Sequence, residues 1–140
     1  MRPLLVLLAC VTLVSCNDTG STGLRPSPEL LNGTWVTVPL ENAPAGSGFS
    51  MLLSVNGSTI AGAGAWHGEA GPSGSIAATG HLAGAQITLD IAFIQLVNGV
   101  EQGRSTETFV GHLTSRSDLE GTTTNGGLTG TLHLRKVPPA

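Results

Sequence analysis

Gln86-Ile87-Thr88-Leu89-Asp90-Ile91-Ala92-Phe93 places an apolar side chain at every odd position and a polar or small one at every even position. In an extended chain successive side chains point to opposite faces, so Ile87, Leu89, Ile91 and Phe93 share one side and Thr88 and Asp90 the other. A helix would scatter the same four apolar residues around its circumference. The stretch therefore reads as a half-buried strand. The same period recurs in Phe49, Met51, Leu53 and Val55 against Ser50, Leu52, Ser54 and Asn56, and in Leu128, Gly130, Leu132 and Leu134 against Thr129, Thr131, His133 and Arg135.

Turn residues punctuate these runs at short intervals: Asn32-Gly33, Asn56-Gly57, Gly71-Pro72-Ser73-Gly74, Ala83-Gly84, Asn98-Gly99, Ser117-Asp118 and Asn125-Gly126-Gly127. Asn-Gly supplies the positive φ that tight hairpins require. Eight strands are predicted, over 33–39, 48–56, 58–69, 74–82, 85–97, 103–115, 118–124 and 128–136. Short connections make them an antiparallel meander, and no capped amphipathic helix is available to cover a sheet face. The fold class expected is all-β. A sheet with one apolar face and no cover must close on itself or pair with another sheet. An eight-stranded up-and-down barrel is the first expectation and a β-sandwich the alternative. Gly62, Gly64, Gly80, Gly111, Gly121 and Gly130 fall on the inward face, where glycine permits sharp coiling. The apolar phase shifts between Phe93 and Ile94. A β-bulge there would return Ile94 and Leu96 to the core; otherwise both are exposed.

The amino-terminal end has a different character. Met1-Arg2-Pro3 is a short positive head, and Leu4 to Val14 is an apolar run of eleven residues. Crossing ~30 Å of hydrocarbon takes about 20 residues, so the run suits a signal peptide rather than a span. Leu13-Val14-Ser15-Cys16 closes it and resembles the lipobox of bacterial lipoproteins. That resemblance implies removal of residues 1–15, diacylglyceryl transfer to the Cys16 thiol and acylation of the new amino terminus. It implies a membrane as partner through Cys16 and a cell-envelope location. Asn17, rather than Asp, after the cysteine favours the outer membrane. Residues 16–30, ending in Pro26 and Pro28, read as a lipidated cysteine and flexible linker with a reach of ~20 Å, and residues 31–140 as the barrel domain. Cys10 and Cys16 are the two cysteines of the chain, so the processed protein would hold no disulfide.

Composition narrows the function. Net charge is -3, with 11% charged residues and 20 glycines in 140. Six Lys+Arg scattered along the chain make no phosphate-tracking stripe, which excludes nucleic acid as a partner.

Gly33-Thr34-Trp35, preceded by Leu30-Leu31-Asn32, resembles the Gly-x-Trp opening of lipocalins and the Leu-x-Gly-Thr-Trp opening of avidin-type barrels. Both families are eight-stranded meanders whose tryptophan plugs one end. The resemblance covers some five residues and does not extend to the ligand residues of avidins, because this chain has no tyrosine and only Trp66 besides Trp35.

Chemistry is sparse. His67, His81, His112 and His133 have the parity opposite to the apolar residues of their strands and are expected to face solvent. His67, His81 and Glu69 flank one turn and are the sole candidates for a weak surface metal site; solvated histidines are the preferred reading. Asp118 and Glu120 read as a solvated edge beside a turn, and Asp90 as an ordinary polar-face residue. No Gly-x-Ser-x-Gly elbow, phosphate loop, dinucleotide fingerprint, calcium loop or zincin motif occurs. No catalytic residue, metal or cofactor is expected. The apolar lining of the barrel is assigned to Trp35, Phe49, Met51, Leu53, Ile60, Trp66, Ile76, Leu82, Ile87, Leu89, Ile91, Phe93, Phe109, Leu113, Leu119, Leu128, Leu132 and Leu134. Of these Trp35, Phe49, Met51, Trp66, Leu89, Phe93, Phe109 and Leu132 are the candidate ligand-lining set, although a filled core with no inward polar group is preferred to a cavity. The expectation is a lipid-anchored structural or interaction module of the envelope. A lipocalin-like carrier of a small apolar ligand is the alternative, and a protease inhibitor of the envelope a third.

Overall fold

The period-two segments become eight strands of one sheet in the computed structural model, which describes residues 24–39, 48–69 and 71–139. They are β1 (Gly33–Thr37), β2 (Gly48–Asn56), β3 (Thr59–His67), β4 (Ser73–Ala83), β5 (Gln86–Val97), β6 (Val100–Leu113), β7 (Asp118–Asn125) and β8 (Leu128–Lys136). Each pairs antiparallel with the next, and β1 pairs with β8 through Trp35↔Lys136, Val36↔Arg135 and Thr37↔Leu134. The sheet is a closed up-and-down barrel, which removes both free edges at once. The sandwich alternative is thereby set aside. The lipobox residues Leu13-Val14-Ser15-Cys16 and the leader lie outside the described residues.

Hairpin geometry follows the turn residues. Asn98 and Gly99 both take positive φ, 52° and 78°, as a tight two-residue turn between β5 and β6 demands. Gly57, Gly84, Gly126 and Gly127 also have positive φ at their hairpins.

Inward and outward faces follow the sequence parity, except that Leu128, assigned to the apolar lining, is 80% exposed at the open end. Leu31, Trp35, Ile60, Ile87, Leu89, Ile91, Phe109, Leu113, Leu119 and Leu134 are wholly buried. Most of them lie toward one end, where β1, β3, β5 and β7 begin. That end is stoppered by a short helix, α1 (Pro28–Leu31), with Ser27 as N-cap and a proline in its first turn. The Trp35 indole Nε1 donates to the Leu31 carbonyl at 2.9 Å, and Val55 N donates to Asn32 Oδ1 at 2.7 Å. Lys136 Nζ donates to the Leu30 carbonyl at 2.8 Å, satisfying a helix-end acceptor. Leu24 forms a bridge with Leu113. The expected linker over 16–30 is therefore too long: from Leu24 the chain is bonded to the barrel. The expectation of no helix also fails at this one turn. A four-residue helix carries almost no amphipathic signal and exists because its carbonyls and Leu31 have partners on the barrel.

The predicted bulge between Phe93 and Ile94 is absent. β5 pairs with β4 without interruption through Ile76↔Phe93, Ser75↔Ile94 and Gly74↔Gln95. Ile94 is half-buried on the outer face and Leu96 is exposed. The irregularity lies on β6, where Gln95 pairs with Gly103 but Leu96 with Glu101, leaving Gln102 as the extra residue.

Candidate functional site: the mouth of the barrel

The end opposite α1 is built from the start of β6 and β8 and the ends of β3, β5 and β7, and here the interior changes from apolar to mixed. Ladder register places Glu107 opposite the wholly buried Ile91, Ser105 opposite Phe93, and Gly103 opposite Gln95. Directly paired residues share a face, so Gln95, Ser105 and Glu107 point inward. Thr123 does so too, opposite Phe109. The expectation that no inward polar group exists is overturned. The signal was available: Glu107 has the parity of Phe109 and Gly111, both assigned inward, but a charged side chain is normally assigned to the solvent face.

Trp66 and Phe93 form the apolar wall of this mouth. Trp66 Nε1 donates to the Ile94 carbonyl at 3.1 Å, so the indole reaches across β4 to β5. Gly74 makes that possible, since a Cβ there would strike both the Ile94 carbonyl and the indole nitrogen. Phe93 packs edge-on against Phe49, with centroids 5.5 Å apart and an interplanar angle of 72°. Between Trp66, Phe93, Gln95, Gly103, Ser105 and Glu107 lies a cleft of about 390 Å³, with Arg104 at its rim. A second cleft of about 500 Å³ adjoins Glu107 between Thr123, Asn125, Leu128 and Gly130. Both volumes fall in the range of ligand sites, ~300–1,000 Å³.

The candidate ligand-lining residues divide accordingly. Trp66 and Phe93 border the first cleft and Phe49 supports them. Trp35, Met51, Leu89 and Phe109 are packed in the closed half, with 1% exposure or less. Leu132 is half-buried and, with His112, Glu120 and His133, lines a separate depression of about 380 Å³ on the β6–β8 side. Inward glycines explain the division. Positions 111 and 121 pair with each other, and a Cβ at either would collide with the Phe109 ring. The ring fills the space these glycines leave. At Gly103 and Gly130 an added Cβ would find no heavy atom closer than 3.8 Å and 3.4 Å respectively, so the room lies at the mouth.

Glu107 makes no salt bridge among the described residues, and burial raises its carboxyl above the ordinary glutamate range. Arg104 is paired elsewhere, its Nε donating to Glu101 Oε1 at 3.1 Å. Arg104 is opposite Ile94 in the ladder, so its Cβ is on the outer face.

The histidines and Asp118 lie on the outer face of the barrel. His67 pairs with Ser73 and His81 with Thr59, at opposite ends of the β3–β4 hairpin, so the conjectured site with Glu69 cannot assemble. No group of three metal-ligating side chains occurs among the described residues. His67, His81 and His112 are exposed as expected, whereas His133 is half-buried. Asp118 is the centre of a network rather than a solvated edge. It accepts from Ser115 Oγ at 2.7 Å, His133 Nε2 at 2.8 Å and Arg135 Nε at 3.0 Å. An ionised carboxylate can only accept, so the His133 proton facing it sits on Nε2. Ser115 bonds Asp118 and not the imidazole, which is the wrong order for nucleophile activation. The network instead fastens β7 to β8.

The Ser115 hydroxyl first, then His133 and Arg135, hold the Asp118 carboxyl well below the usual carboxylate range. A depressed folded-state value adds stability that is complete above the unfolded value of ~3.9 and is lost as pH falls through the folded one. Asp118→Asn should therefore lower the melting temperature at neutral pH, and the deficit against the parent should shrink on acidification below about pH 4. Melting curves of both proteins between neutral and strongly acidic pH check this. A deficit independent of pH would mean that the carboxylate charge contributes nothing.

No family model matches the chain, and neither the curated proteins nor the solved structures contain a match to it.

Proposed function

We propose that this protein is a lipid-anchored, non-catalytic barrel of the bacterial cell envelope that binds a small molecule in its open mouth. The observation that carries the binding is the cleft between Trp66, Phe93 and Glu107. It joins an aromatic wall to a few polar groups, the composition typical of small-ligand sites. The packed closed half, stoppered by Trp35 and α1, supplies a rigid base for it. Membrane attachment through Cys16 is supported by the lipobox resemblance, and the outer membrane by Asn17.

The test is calorimetric titration of the full-length protein in zwitterionic lipid nanodiscs with water-soluble naphthalene derivatives, empty nanodiscs serving as the blank. Saturable one-to-one binding is expected, lost in Trp66→Ala while the melting transition persists. Absence of saturable binding by any derivative would overturn the reading. A second reading, an interaction module, is favoured by the outer face of β2 and β3. There Leu52 is 58% exposed beside Ala61, Ala63 and Ala65, with no charged side chain among them.

A further inference from the structure

Resting on that reading, we propose that the ligand class is an organic cation: an amine with a compact hydrocarbon or aromatic body, its ammonium paired with Glu107 and its body against Trp66 and Phe93. The geometry is specific. Glu107 lies one inward position deeper on β6 than Ser105, which is opposite Phe93. Its carboxylate thus stands between the aromatic wall and the packed core. It also borders both clefts of the mouth, so an amine entering either one meets it.

Charge bookkeeping points the same way. On β5 the groups beside Glu107 are Ile91 and Phe93, and on β7 Thr123 and Asn125; none of them titrates. Arg104, the cation at the rim, has its Cβ on the outer face and its Nε on Glu101 rather than on Glu107. A half-buried carboxylate without a cation is costly in the empty protein. An ammonium ion both neutralises it and donates the hydrogen bonds it lacks. An anionic ligand would place like charges together at low dielectric, and a neutral one would leave the carboxylate unpaired. The raised pKa of Glu107 agrees with this desolvated, unpaired setting.

The experiment compares three probes with one ring system, 1-naphthylmethylamine, 1-naphthalenemethanol and 1-naphthylacetate, on the same nanodisc-held full-length protein at neutral pH. The amine should bind about ten- to a hundredfold more tightly than the alcohol, the scale of a hydrogen bond to a charged group, and the acetate most weakly. Glu107→Gln should bring amine and alcohol together. Acidification that protonates Glu107 should do the same to the parent, a measurement that needs no variant. Equal binding of all three probes, or a preference for the acetate, overturns the cation inference while leaving a small-molecule site in place. Failure of all three to bind overturns the site itself. An amine preference that survives both Glu107→Gln and acidification overturns the role of Glu107.

Discussion

Leu89→Asp should abolish folding. Leu89 is wholly buried in the first half of β5, opposite Gly80 on β4 and Phe109 on β6. Its Cδ2 occupies the space a Cβ on Gly80 would take. Truncating a buried leucine alone costs ~2–5 kcal/mol. The aspartate adds a charge or a protonated carboxyl with no partner among apolar neighbours, several kcal/mol more. A single domain has only ~5–15 kcal/mol in hand. Far-UV circular dichroism and thermal melting should find no cooperative transition. Leu52→Asp is the matched control, the same exchange on β2 at a position 58% exposed on the outer face. It should fold with a change within about 1 kcal/mol. A soluble Leu89→Asp protein that melts cooperatively would mean that the two faces are exchanged.

Cys16→Ser should release the protein from the membrane or stall its maturation. One acyl chain holds a protein only marginally, whereas two or more hold it stably, at ~0.8 kcal/mol for each buried methylene. Serine can accept no thioether, so the anchor is lost outright. Fractionation should move the variant to the soluble pool or leave it as a precursor retaining residues 1–15. Mass analysis of the parent should find a chain that begins at Cys16 and carries acyl groups. Unaltered membrane retention would overturn the lipoprotein assignment. Leu24 is bonded to the barrel, and the eight Cα steps from Cys16 to Leu24 can span at most about 29 Å, against about 50 Å for fourteen residues. The barrel would stand close to the bilayer, nearer than a fourteen-residue tether would place it.

Much of the fold was legible because a strand writes its environment into the sequence at a period of two. Ile87, Leu89 and Ile91 could be assigned inward from their neighbours alone, and Asn98-Gly99 announced its own hairpin. Closure also followed, since eight consecutive antiparallel strands with one apolar face and no covering helix have few ways to bury it. The site was harder. Trp66 and Phe93 were assigned to the interior, yet so were Trp35, Met51, Leu89 and Phe109, and nothing local distinguishes an aromatic ring at the mouth from one in the packed half. Glu107 shared the inward parity of its strand, but its charge argued for the opposite face.

The sequence by itself determined the eight strands, their turns, most of the apolar residues that point inward, and the lipobox that predicts an anchor. Only the tertiary structure decided how far along each strand the interior is filled. It covered the glycines at 111 and 121 with the Phe109 ring and left those at 103 and 130 open. It put the bulge on β6 rather than β5, bonded α1 across one end and gathered Ser115, His133 and Arg135 around Asp118. Side-chain alternation is a property of one strand and can be read locally. Depth within a barrel depends on stagger among strands distant in the chain, and that is settled only when β1 meets β8.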